Sequence, residues 1–108
     1  MEIVKKEHAS GGKGYITVKH ILDKKQLNGK CGMYSQVTIK PGSSLGYHEH
    51  LNESETYYIL SGQGSYNDNG TVRTVGKGDV TFTPHGFSNG IETIGDEDLV
   101  FMALIIFD

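Results

Sequence analysis

His48 and His50 stand one residue apart, and a carboxylate, Glu55, follows five residues later, all within the stretch bounded by Gly42 and Gly62. Alternate side chains of an extended strand share a face, so the two imidazoles converge on one point. Two neutral imidazoles and a carboxylate form a donor set that a divalent Mn, Fe, Ni, Zn or Cu ion accepts. The flanking glycines delimit the stretch as strand, turn and strand. Any chemistry of this chain is expected here.

The elements that must position this trio are short strands. Fifteen glycines in 108 residues are about twice the usual share, and they separate segments rich in β-branched and aromatic residues. Strands are expected over residues 15–22, 33–39, 56–60, 71–75, 80–83 and 99–107. Over 33–39, Met33, Ser35, Val37 and Ile39 fall on one face. Asn69-Gly70 is the strongest hairpin signal. Residues 23–27 allow one helical turn at most, and residues 99–107 are apolar on both faces. Phe82, Met102 and Leu104 are expected to line the interior. The pattern is that of an all-β sandwich or barrel with little or no helix.

Length and composition bound the rest. The chain is expected to form one domain over residues 1–108. Ten Lys and Arg against thirteen Asp and Glu leave a formal net charge of −3, without the clustered cations that nucleic acid needs. The longest apolar run, 99–107, is less than half of the ~20 residues that a spanning helix requires, and the amino-terminal residues lack an apolar stretch of signal-peptide length. No membrane partner is expected, and the location expected is cytoplasmic. The single cysteine, Cys31, excludes an intrachain disulfide and reads as a small apolar residue in or beside a strand. No nucleophile elbow, P-loop or dinucleotide fingerprint occurs.

Written as spacing, Gly42 to Gly62 is G-x5-H-x-H-x4-E-x6-G, which resembles the first motif of the cupin superfamily with every position filled. The second cupin motif, G-x5-P-x-G-x2-H-x3-N, finds its first half in Gly78, Pro84 and Gly86. Its histidine position falls on Asn89 and its asparagine position on Thr93. The resemblance covers about residues 33–107, with residues 15–22 as an amino-terminal strand. It implies a six- to eight-stranded antiparallel jelly-roll β-barrel of the RmlC-like kind, a divalent metal in its mouth and a homodimer.

Carried over residue by residue, the resemblance makes His48, His50 and Glu55 three of four metal ligands and puts Asn89 at the fourth place. Three arrangements fit these residues. The ion is held by His48, His50 and Glu55 with Asn89 or water completing the shell; the site holds metal too weakly to matter; or His85 replaces the missing ligand after a loop rearrangement. Two imidazoles and one carboxylate are also the ligand type of non-haem Fe(II) oxygenases. Tyr57 shares the face of Glu55 and is a pocket candidate. Glu49 should point to solvent, Glu53 is expected at the surface, and His8 and His20 carry no motif. Tyr34, Gln36 and Tyr47 belong to either pocket or interface.

Two functional classes follow. One is a metal-binding cupin that takes a small polar molecule, such as a sugar or an organic acid. The other is a non-catalytic binding module whose metal site is weakened or absent because of Asn89. Whether the chain is an enzyme stays open at this point, because one scaffold hosts many reactions.

Overall fold

The computed structural model describes residues 2–108, and Met1 lies outside the described residues. Ten strands run in chain order: β1 (Ile3–Glu7), β2 (Tyr15–His20), β3 (Cys31–Ile39), β4 (Ser44–Glu49), β5 (Glu53–Ser61), β6 (Gln63–Asp68), β7 (Thr71–Gly76), β8 (Val80–Thr83), β9 (Ser88–Ile94) and β10 (Leu99–Phe107). They form a six-stranded sheet, β1-β2-β3-β10-β5-β8, and a four-stranded sheet, β4-β9-β6-β7. Every pairing is antiparallel. This is the expected all-β jelly roll, with ten strands in place of six to eight. The additional edge strand β1 pairs with β2 from Ile3–Lys19 to Glu7–Tyr15.

Between the sheets lies a core of inward side chains: Ile16 and Val18 from β2, Val37 and Ile39 from β3, Tyr57 and Ile59 from β5, and Leu99, Phe101 and Ala103 from β10. Tyr66, Val75 and Ile91 close it from the four-stranded sheet. The alternation expected over 33–39 is realised, since Ser35, Val37 and Ile39 are buried while Tyr34, Gln36 and Thr38 are not. The helical turn is α1 (Lys24–Leu27), capped by Asp23, whose carboxylate accepts from the Gln26 amide at 2.7 Å. Asn69 and Gly70 both have positive φ, 50° and 100°, as the tight β6–β7 hairpin requires.

Phe82, Met102 and Leu104 do not line the interior. Phe82 pairs with Thr56 on β5, Thr56 with Leu104, and Met102 with Tyr58, so all three stand on the outer face of the six-stranded sheet. Thr81 and Thr83 take the inward positions of β8 and are buried. Of these two, Thr83, the register partner of Glu55, bonds the Tyr66 hydroxyl at 3.0 Å, a polar contact that a phenylalanine there would lack.

Candidate metal centre

Strands β4, β5 and β9 position the site. His48 and Asn89 are register partners across β4 and β9, and a β-bulge interrupts this pairing between Leu45 and His48. Without the bulge, Leu45, Tyr47 and Glu49 would share a face. One extra residue in β4 reverses the alternation, so that Leu45 and His48 both turn inward while Tyr47 and Glu49 are exposed. Glycines make the bulge possible. A Cβ on Gly90, opposite it on β9, would lie 2.9 Å from the Cα and N of Tyr47. A Cβ on Gly46 would collide with the carbonyl of Ser10, in the short 3-10 turn Ala9–Gly11 that packs over β4.

The bulge brings together His48, His50 and Glu55, whose ligand atoms all lie within 4.8 Å of one another. His50 and Glu55 are buried, and His48 is partly exposed. Each imidazole has one nitrogen tied down. His48 Nδ1 lies 2.7 Å from the Gly46 carbonyl oxygen, to which it donates, leaving Nε2 as the available lone pair. His50 Nδ1 lies 2.7 Å from Glu53 Oε2, the carboxylate–histidine pairing that orients a metal-binding imidazole.

Glu53 therefore corrects the expectation of a surface side chain. β5 begins at Glu53, three residues earlier than expected, and its inward face carries Glu53, Glu55 and Tyr57 in succession. The parity with Glu55 was the available sequence signal.

Asn89 is fully buried at the centre of the network. Its Oδ1 lies 2.9 Å from His50 Nε2, and its Nδ2 donates to Glu55 Oε1 at 3.2 Å and to the Tyr66 hydroxyl at 3.4 Å. Tyr66 in turn bonds Thr83 Oγ1 at 3.0 Å. Glu55 Oε1 also lies 3.2 Å from His50 Nε2. Both nitrogens of His50 thus face acceptors, which favours the imidazolium. Its pKa rises from 6.5 to about 9, chiefly through the Glu55 hydrogen bond, with Glu53 and Asn89 adding and burial opposing. Burial holds the Tyr57 phenol well above 10, with the Glu55 charge second, so Tyr57 stays protonated.

His85 is not part of this cluster. It is exposed, and its Nδ1 accepts from the Asn52 backbone N–H at 2.7 Å. His8 and His20 are likewise elsewhere, His20 bonding Ser35 at 3.0 Å. The His48–His50–Glu55 trio opens onto a cavity of about 350 Å³, walled by Val37, Leu45, Tyr57, Phe101, Ala103 and Ile105, with Glu49, Glu53 and Lys6 also lining it.

The donor set fits a divalent cation. Neighbouring ligands of a six-coordinate ion, each about 2.1 Å from it, stand about 3 Å apart. The ligand atoms of His48, His50 and Glu55 all lie within 4.8 Å of one another, close enough for two imidazoles and a carboxylate to converge on one ion.

Comparison with known proteins identifies the family and the fold. The family model for the cupin domain matches residues 35–107. The oxalate-binding protein of Thermotoga maritima is 44% identical over 96 residues, spanning 89% of this chain and 79% of that protein. Oxalate decarboxylase OxdC of Bacillus subtilis is 36% identical over 73 residues, which are 63% of this chain and 19% of that enzyme. The crystal structure of a Thermotoga maritima protein described as a predicted oxalate decarboxylase superposes with a TM-score of 0.95 at 39% identity, covering all of this chain and 94% of the other. The cupin domain of Schizosaccharomyces pombe Cnp3, at 15% identity and a TM-score of 0.78 over 97% of this chain and 69% of its own, shares the fold. Among the described residues, no helix is long and apolar enough to cross a membrane. By its motif, its two-sheet fold and its match to the family model, this chain belongs to the cupin family.

Proposed function

We propose that this chain is a metal-binding cupin that takes a small dicarboxylate of the oxalate kind in its cavity. The observation that carries the reading is the His48–His50–Glu55 cluster at the wall of a cavity of about 350 Å³. Asn89 Oδ1 completes the donor set on the side of the usual second-motif histidine. An amide oxygen in place of an imidazole shifts the preference toward Mn and away from Cu.

A cation held there supplies charge neutralisation and a docking point for a carboxylate. The protein residues do the rest. Gly46 and Glu53 hold the two imidazoles in the tautomers that present Nε2. Apolar walls from Val37, Leu45, Phe101 and Ala103 keep water from competing for the ligand. The relatives named for oxalate supply the ligand class.

One observation favours the metal-free alternative. Asn89 hydrogen-bonds His50, Glu55 and Tyr66 at once, which gives each of these buried groups a partner without an ion.

Metal analysis of protein purified without a histidine tag or chelator separates the two, combined with calorimetric titration of oxalate. Stoichiometric metal that His48→Ala loses, with oxalate bound only by the loaded protein, is the expected result. Metal appearing only after Asn89→His, or oxalate binding indifferent to metal, would overturn the reading.

The partner expected beside the small molecule is a second copy of the chain. The outer face of β8, β5 and β10 carries Phe82, Val80, Tyr58, Met102 and Leu104 in adjacent register, an apolar strip of the kind that homodimers bury. A stable monomer at micromolar concentration in sedimentation would remove this expectation.

A further inference from the structure

β1 is the outermost strand of the six-stranded sheet, and its register decides where Lys6 points. Lys6 stands opposite Ile16, and Val4 opposite Val18; both partners are buried and both line the cavity. Side chains of paired residues share a face, so Lys6 reaches toward the cavity and not over the outer surface. It lines the cavity and is itself exposed, so a molecule entering there has access to its ammonium.

Nearby lysines are already engaged. Lys5, on the outer face, lies 3.7 Å from Glu7 Oε1 and 4.4 Å from the centre of the Tyr15 ring. Lys13 pairs with Glu92 at 3.2 Å, and Lys40 with Asp98 at 3.8 Å. Among the described residues Lys6 has no such partner, and it is the one lysine or arginine that lines the cavity.

The cavity also carries three carboxylates, Glu49, Glu53 and Glu55. A divalent ion balances two of these negative charges and leaves one, which disfavours a dianion. The remaining titratable groups of the wall, His48, His50 and Tyr57, are uncharged beside a bound ion. Lys6 supplies the last positive charge.

We infer that Lys6 is the specificity-determining cation of this cavity: its ammonium pairs with oxygens of a dicarboxylate held at the metal centre and selects dianions over monoanions of the same shape. A flexible stem with three donors lets it follow the ligand. This inference rests on the metal-and-oxalate reading above and adds to it the residue that senses the ligand's second charge.

The test is calorimetric titration of Mn-loaded wild type, Lys6→Gln and Lys6→Arg with oxalate and with oxamate, in which an amide replaces one carboxylate. A hydrogen bond between charged groups contributes about 10- to 100-fold, and exposure favours the lower end. Oxalate binding should therefore weaken about tenfold in Lys6→Gln, and oxamate binding by no more than about threefold. Lys6→Arg should keep most of the preference. Raising NaCl from about 0.05 to about 0.5 M should weaken oxalate binding more in the wild type than in Lys6→Gln. Mn(II) affinity and melting temperature should not fall in Lys6→Gln, because the ammonium supports neither ligands nor core.

Equal oxalate affinity in wild type and Lys6→Gln would overturn the inference, leaving Lys6 as a charge that guards an open sheet edge. So would an equal loss for oxalate and oxamate, or a fall in Mn(II) affinity or melting temperature. If the loaded wild type binds no oxalate, the oxalate reading falls alone, and malonate becomes the probe. If the wild type takes up no Mn(II), the metal reading falls alone, and the apoprotein is titrated with oxalate. In either case tenfold weaker binding by Lys6→Gln supports the inference, whereas equal affinity or no binding overturns it.

Discussion

At neutral pH a metal ion entering this site must displace a proton from His50. The imidazolium is held by Glu55, Glu53 and Asn89, with a pKa of about 9 in the metal-free protein. Coordination needs neutral imidazole. At pH 7 the competent form is therefore about one part in 100, and the apparent metal affinity is lower by that factor than at high pH. Between pH 6.5 and 9 it should climb about tenfold per pH unit, with close to one proton released per ion from His50.

Stability of the apoprotein should run the opposite way. A pKa raised in the folded state stabilises it fully below the unfolded value of 6.5, and this stabilisation is lost as pH rises through about 9. The rise from 6.5 to about 9 corresponds to roughly 3 kcal/mol. Titrating Ni(II) by calorimetry in buffers of different ionisation enthalpy counts the protons, and urea unfolding at pH 6 and pH 9.5 measures the loss. Metal affinity flat from pH 7 to 9, with no proton released, would refute the assignment of His50 as a protonated ligand.

Three further substitutions probe the supports of the site. Glu53→Gln leaves His50 without its anionic partner at Nδ1; metal affinity should drop about 10- to 100-fold, and its pH dependence should flatten. Gly90→Ala places a methyl group against the Tyr47 backbone. Chemical denaturation should show a loss of about 1–3 kcal/mol, with weaker metal binding as His48 is displaced. Tyr66→Phe removes the partner that Thr83 and Asn89 share, which should cost about 1–3 kcal/mol in urea unfolding without abolishing metal uptake.

The sequence disclosed the trio because spacing in a strand maps directly onto a shared face. His48 and His50 are two apart, and Glu55 belongs to a motif whose glycines mark turns. Glycine punctuation also located β7, β8 and β10, and the Asn69-Gly70 hairpin. What escaped had physical reasons. β1 is an edge strand with no buried residue and only Val4 partly covered, so it carries no inward-facing periodicity. The bulge in β4 inserts a residue without any composition signature, because what permits it is the missing Cβ on Gly46 and Gly90. Hydrophobicity alone suggests burial of Phe82, whereas β8 presents its threonines inward and its apolar residues outward. Glu53 reads as a loop residue because no β-branched or aromatic residue directly precedes Thr56, although its parity with Glu55 is plain in the sequence and β5 extends back to it. Asn89 stood in the expected register. Its threefold hydrogen bonding, which ties His50 to Glu55 and Tyr66, depends on β6 and β9 lying side by side and has no local signal.

The burial of Tyr57 and Tyr66 beside the site has an optical consequence. The chain contains six tyrosines and no tryptophan, so phenol emission is not drained by transfer to an indole. Tyr66 is bonded to Asn89 and Tyr57 faces Glu55, so both chromophores sense what happens at the ligands, while Tyr34, Tyr47 and Tyr58 lie in solvent-exposed positions and supply a steady background. Near-ultraviolet circular dichroism and tyrosine fluorescence are thereby built-in, label-free gauges of site occupancy.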